Sequence, residues 1–171
     1  KFGPVDLLVN NAGVMLLGNA ITQNPQEWQQ MLNVNVMGVL NGVQSVLANM
    51  VKRNHGTIVN ISSIAGRKTF PDHAAYCATK FAVHALSENI RGEIAGSNVR
   101  MTIIAPGVVE TELLSHTTSA AIIDGYKEWK ANTIEQGLNP DDIARAIEFA
   151  YIQPQNVCIR EIVIADTKQD A

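Results

Sequence analysis

The chain has 171 residues, 46% of them hydrophobic, and a formal charge of −3. This length suits one domain with a sizeable core, and the slightly acidic balance gives no electrostatic reason to expect nucleic acid or an anionic membrane as partner. No apolar run reaches the ~18 residues that span a bilayer, no signal peptide is evident after Lys1, and Cys77 and Cys158 read as small buried residues of a reducing, cytoplasmic protein, spaced neither as a disulfide framework nor as a metal site.

Val5 to Asn10 reads as a strand buried on both faces. Residues 11–22 follow as a loop at its carboxyl end, where open α/β sheets place their ligands. Asn24-Pro25-Gln26-Glu27 predicts a capped helix start. Apolar residues from Trp28 to Met50 then recur at helical spacing, in a stripe wider than one sheet contact needs. Lys52, Arg53 and a Gly56 stop predict the end of that helix. Thr57 to Ser62 is the next strand, and Pro71-Asp72 predicts the start of a second long helix running past Ile94. Asn98 to Ala105 is a third strand. Residues 107–138 are less regular, with helical signals near Ile122, Tyr126 and Trp129. Asn139-Pro140-Asp141-Asp142 opens another capped helix, Val157 to Ile164 is the last strand, and the polar tail after Asp166 is expected to fray. Strands alternating with helices predict an α/β fold with a parallel sheet and right-handed crossovers. Without repeats, low-complexity tracts or a linker, residues 1–171 read as a single domain.

Tyr76 and Lys80 carry the chemistry. Four residues apart on a helix, they lie one turn apart on one face. A free phenol, with a pKa of about 10, is a poor acid–base catalyst at neutral pH. A neighbouring cation favours the phenolate, yet reaching neutrality takes roughly 4 kcal/mol, more than one lysine supplies. A helix N-terminus and a positively charged cofactor can provide the rest. Asn60-Ile61-Ser62-Ser63 ends a strand thirteen residues before the tyrosine. Alone, the serine pair would mean turn chemistry. Asn35 is a polar residue in an apolar helical pattern, and by itself would read as a satisfied buried or exposed amide. A triad of Ser63, His73 and Asp72 is disfavoured, because no Gly-x-Ser-x-Gly elbow is present and adjacent side chains diverge.

In order and spacing, Asn10-Asn11-Ala12-Gly13, Asn33-Val34-Asn35, Asn60-Ile61-Ser62-Ser63, Tyr76-Cys77-Ala78-Thr79-Lys80 and Pro106-Gly107-Val108-Val109-Glu110-Thr111 resemble the short-chain dehydrogenase/reductase family. The resemblance covers nearly the whole chain and implies a Rossmann-type, doubly wound parallel sheet. It implies hydride transfer between a nicotinamide cofactor and a secondary alcohol or carbonyl compound. Tyr76 would be the general acid/base, Lys80 its partner and a ribose ligand, Ser63 the residue on the substrate oxygen, and Asn35 the holder of a relay water. Asn10, Asn11, Ala12, Gly13, Ile61, Pro106, Gly107, Val109 and Thr111 would join Tyr76 and Lys80 at the cofactor. The region 108–137 would be the substrate lid.

The chain departs from the family at its start, where no Gly-x-x-x-Gly-x-Gly turn is present. The family's first three strands are expected to lie outside it, together with the residue that selects NAD or NADP. Likeness to a bacterial subgroup of broad-range carbonyl reductases, which includes clavulanic acid dehydrogenase-like proteins, favours NADP over NAD. Helices over 25–53 and 72–95 are expected to pair into a homodimer or homotetramer. The alternatives are a non-catalytic chain that keeps these oligomerisation helices, and an isomerase or dehydratase of the same family.

Overall fold

The structure is a computed structural model that describes residues 3–134 and 136–170. The lid range 108–137 therefore contains one residue, Glu135, outside the described residues, as are Lys1, Phe2 and Ala171. Four parallel strands form one sheet in sequential order: β1 (Leu7–Asn10), β2 (Gly56–Ile61), β3 (Val99–Pro106) and β4 (Glu161–Ile164). Asn10 lies opposite Asn60, Asn60 opposite Ile103, and Pro106 opposite Ile164. The carboxyl ends of the strands therefore form one rim.

The crossovers are helical. Helix α1 (Pro25–Leu32) passes through a π-helical turn (Asn33–Met37) into α2 (Gly38–Arg53), and α3 (Ala74–Glu93) joins β2 to β3. Helices α4 (Ala120–Thr133) and α5 (Pro140–Tyr151) lie between β3 and β4. Alternation along the strands divides the core. Ile58 and Met101 pack with Val39, Val43 and Met50 of α2 and Val83 of α3, while Val59 and Ile104 meet Ile143 and Ala146 of α5. The predicted doubly wound α/β sheet is present, with helices on both faces.

Several boundaries differ from the sequence reading. Strand β1 starts at Leu7 and is only half-buried, because it pairs on one side only among the described residues. The helix expected over 25–53 is interrupted by the π turn around Asn35. Its left-handed C-cap is Asn54, at φ 54°, ahead of Gly56. The second long helix starts at Ala74, not at Asp72, whose φ of 61° is incompatible with a right-handed helix. Strand β4 begins only at Glu161, since the Thr102 hydroxyl takes the Ile159 carbonyl at 2.8 Å. Cys158, just before it, is exposed, whereas Cys77 is buried.

The stretch Pro25–Arg53 is also long and apolar enough, by length and composition, to cross a membrane, which the residue-by-residue reading did not detect. It packs on the sheet through Val39, Val43 and Met50. Nor does the tail fray. Asp166 accepts from the Lys168 N–H at 2.8 Å and, through its carbonyl, from the Gln169 N–H at 3.0 Å, and Gln169 is buried.

Candidate active site

The rim of the sheet opens into a cavity of about 1880 Å³. Its floor comes from the segments that end three strands: Asn11–Val14 after β1, Ile61–Ala65 at β2 and Pro106–Thr111 at β3. Helix α3 supplies Tyr76 and Lys80 from one side, and the segment from Leu113 to Thr133 forms the opposite wall. A parallel sheet brings strand ends together in this way because its crossovers return every strand in the same direction.

Tyr76 sits in the first turn of α3 and is 5% exposed. Lys80, one turn on, is also buried, with its Nζ 5.7 Å from the Tyr76 ring centre. That Nζ donates to the Ile61 carbonyl at 3.0 Å. Burial pushes the Tyr76 phenol above its ordinary value, with the Ser63 hydroxyl beside it working the other way. Burial likewise brings the Lys80 ammonium down to about 8. The expected lowering of the tyrosine by the lysine is not seen here: desolvation dominates at Tyr76 and acts on Lys80 as well.

Strand alternation separates the two serines. The Ser63 hydroxyl accepts from the Ala65 N–H at 3.1 Å and faces the cavity beside Tyr76. Ser62 turns under α3, where its hydroxyl donates to the Lys80 carbonyl at 3.2 Å and lies 3.0 Å from His84 Nδ1. His84 Nε2 lies 3.1 Å from Glu161 Oε1, which also pairs with Arg67 at 2.7 Å. This Ser62–His84–Glu161 line was not legible in the sequence, since its members come from the segment just after β2, from α3 and from β4. Ser62 borders the same cavity, but it is 3% exposed and its hydroxyl is engaged by protein.

Asn35 is engaged at both ends of its amide. Its Oδ1 accepts from the Val14 N–H at 2.9 Å, and its Nδ2 donates to the Val14 carbonyl at 2.9 Å and to Thr79 Oγ1 at 3.1 Å. The side chain ties the loop after β1 to α3, one residue from Lys80. Asn10 does not line the cavity. Its Nδ2 donates to Asn60 Oδ1 at 2.8 Å, and Asn60 donates to Ser87 Oγ at 2.8 Å. The sheet and α3 are braced by these amides. Asn11, Ala12, Gly13, Ile61, Pro106, Gly107, Val109 and Thr111 all line the cavity. Thr111 also caps the short 3₁₀ turn Glu112–His116.

The segment that walls the cavity is held at two points. Thr117 Oγ1 donates to the Met15 carbonyl and accepts from the Leu17 N–H, each at 3.2 Å. Glu110 pairs with Lys130 and accepts from the Gly137 N–H at 2.8 Å. Phe70, His73, Tyr126 and Trp129 form an aromatic wall, with His73 5.7 Å from Phe70 and 6.4 Å from Tyr126 between ring centres. His73 Nδ1 is 2.5 Å from the Pro71 carbonyl, which can only accept, so that nitrogen carries the proton. Burial lowers the His73 pKa against this hydrogen bond and the charge of Asp72.

These residues fit the nicotinamide half of a dinucleotide. The backbone at Gly13 is open, and a methyl there would come within 3.4 Å of Asn35 Oδ1 and 3.9 Å of Lys80 Nζ. Hydroxyl, ammonium and backbone donors converge on the same space.

Comparison with known proteins gives the same picture. The model of the short chain dehydrogenase family matches residues 1–121. An uncharacterised oxidoreductase of Staphylococcus saprophyticus is 42% identical over 170 residues, covering 98% of this chain and 68% of its own length. A glycine betaine reductase of Emericella nidulans is 40% identical over 164 residues, covering 96% of this chain and 13% of its own. The closed form of serine dehydrogenase complexed with NADP+ superposes with a TM-score of 0.87 at 33% identity, over 97% of this chain and 66% of that one. The chain therefore spans about two thirds of the length of the first and last of these relatives. With the parallel sheet, the rim cavity and this family match in place, the chain belongs to the short chain dehydrogenase family.

Proposed function

We propose that this chain is the catalytic portion of an NADP(H)-dependent oxidoreductase that interconverts a secondary alcohol and a carbonyl compound. The observation that carries this reading is the convergence of Tyr76, Ser63 and Lys80 in one cavity at the carboxyl rim of the sheet. When bound, the dinucleotide supplies or accepts the hydride. Ser63 then holds the substrate oxygen, and Tyr76 delivers its proton to that oxygen or takes it back. Lys80 uses one N–H on the Ile61 carbonyl and keeps two for ribose hydroxyls. Because burial raises Tyr76 in the chain alone, the charge that activates it comes from the oxidised nicotinamide together with Lys80 and the start of α3. Both N–H donors of the Asn35 side chain are taken, so a relay water held at this residue meets the remaining lone pair of its Oδ1 or the main chain of the π turn.

NADP is favoured over NAD because the superposable serine dehydrogenase is complexed with NADP+. The aromatic and aliphatic wall suits a substrate with an apolar body. Free Cys77 and Cys158 suit a reducing, cytoplasmic setting. Exposed Leu32, Met37 and Val51 on the first helical stretch, and Phe81 on α3, support pairing with a second copy through these helices. The same exposed residues favour a second reading, a non-catalytic assembly chain.

Calorimetric titration with NADPH, followed by NADPH oxidation against a panel of ketones and aldehydes, separates the two. Binding with carbonyl-dependent oxidation that Tyr76→Phe abolishes supports the enzyme. Stable oligomers that bind no NADPH support the assembly chain. Turnover without net redox change of the nicotinamide would point to an isomerase or dehydratase.

A further inference from the structure

The tail after β4 returns to the rim of the sheet. Gln169 is 9% exposed although it lies in a polar segment, and it lines the same cavity as Tyr76 and Lys80. Its Oε1 accepts from the Val108 N–H at 2.9 Å. That bond settles which end of the amide is oxygen, since a backbone N–H can only donate. The carboxamide lies flat on Gly107, where a methyl group would come within 2.2 Å of Oε1 and 3.0 Å of Cδ. A side chain at position 107 would therefore have to displace the amide of a residue 62 positions later in the sequence.

The other end of the amide is unused. Gln169 Nε2 makes no hydrogen bond among the described residues, yet none of their fully buried side-chain nitrogen or oxygen atoms lacks a partner. Nε2 therefore keeps a small accessible surface, and in so buried a residue the space it reaches is the cavity that Gln169 lines. A donor fixed at one end and open at the other is pre-organised for an acceptor. Asp170 also lines the cavity, and its carboxylate disfavours a phosphate at this spot. The acceptor is thus a neutral carbonyl or hydroxyl oxygen.

We infer that Gln169 is a ligand-binding residue of this site, clamping the Val108 N–H through its oxygen and donating through Nε2 to a neutral oxygen on the nicotinamide half of the dinucleotide. The inference rests on the dinucleotide reading above and adds to it that the C-terminal tail is a wall of the site.

Three proteins test it: the wild type, Gln169→Leu, which neither accepts nor donates, and Gln169→Glu, which accepts but cannot donate. Amide hydrogen exchange at Val108, followed by NMR without nucleotide, reads the clamp. It is expected to stay protected in the glutamate variant and to lose protection in the leucine variant. NADPH affinity, measured calorimetrically in high salt to screen the added charge, is expected to fall about tenfold in both variants, the scale of one lost hydrogen bond. If both bind NADPH as tightly as the wild type, the inference is overturned and the dinucleotide reading stands. Wild-type affinity in the glutamate variant alone reduces Gln169 to a clamp and overturns its donor role. A wild type that binds no NADPH removes the dinucleotide reading and this inference with it.

Discussion

Lys80 Nζ donates to the Ile61 carbonyl at 3.0 Å, so the cation that should activate Tyr76 is held by the end of the strand that leads, two residues on, to Ser63. One hydrogen bond thereby couples α3 to β2 at the point where three proposed catalytic groups meet. It also keeps an ammonium buried, and that has consequences for stability.

Lys80 titrates near 8 in the folded chain because burial disfavours its charged form, against a usual value of 10.5. Below pH 8 both folded and unfolded chains carry the proton, and the folded state bears the full desolvation cost. Between about 8 and 10.5 the unfolded chain binds more protons, so stability rises with pH over that window. Tyr76, raised by burial, adds to stability only up to its own range and opposes further gain above about pH 10. Lys80→Met is expected to be more stable at pH 7, by at most about 3 kcal/mol, and to lack the rise above pH 8. Urea unfolding from pH 7 to 10 reads both; parallel pH profiles for the two proteins would falsify the assignment.

Tyr76→Phe keeps the ring and removes the proton. Turnover should fall by about 10³-fold, while the unfolding free energy changes by less than about 1 kcal/mol. Retained turnover in a normally folded variant would remove Tyr76 from the reaction.

Asn35→Ala removes both bonds to the Val14 peptide and one to Thr79. Leaving those groups unpaired should cost about 3 kcal/mol and loosen the loop that faces Lys80. Denaturant unfolding measures the first effect and hydrogen exchange at the Val14 amide the second. An unchanged Val14 amide would mean that the loop is held by other contacts.

Burial raises Glu161, but the hydrogen bonds from Arg67 and His84 outweigh it and hold its carboxyl below the ordinary value. Such a group stabilises the fold above its unfolded pKa, and that stability is lost as pH falls through the folded value. Glu161→Gln should therefore be less stable near pH 7, by about 1 kcal/mol or less for a partly exposed group, with the difference vanishing in acid. Thermal unfolding at pH 7 and at pH 3 tests it; equal deficits at both would show that packing, not charge, is responsible.

Gly42 faces Asn10 so closely that a methyl group would fall 2.2 Å from Asn10 Oδ1. Gly42→Ala should displace Asn10 from Asn60 and cost about 1–3 kcal/mol. A crystal structure of the variant with the Asn10–Asn60 bond intact would rule this out.

The sequence alone determined the elements with strong local signals: the capped starts at Asn24 and Asn139, the central strands, and Tyr76 one helical turn before Lys80. These depend on neighbours within a few residues, where periodicity and capping chemistry act. Tertiary structure decided what depends on burial and on distant partners. It made Asp72 a left-handed turn and Asn10 a brace rather than a lining residue. It also set the direction of the Tyr76 shift, because desolvation is a property of the packed site. His84 meets Glu161 across 77 residues, and Val108 meets Gln169 across 61. No periodicity spans such distances; the parallel register of β2, β3 and β4 brings those residues together, and only the folded sheet contains it.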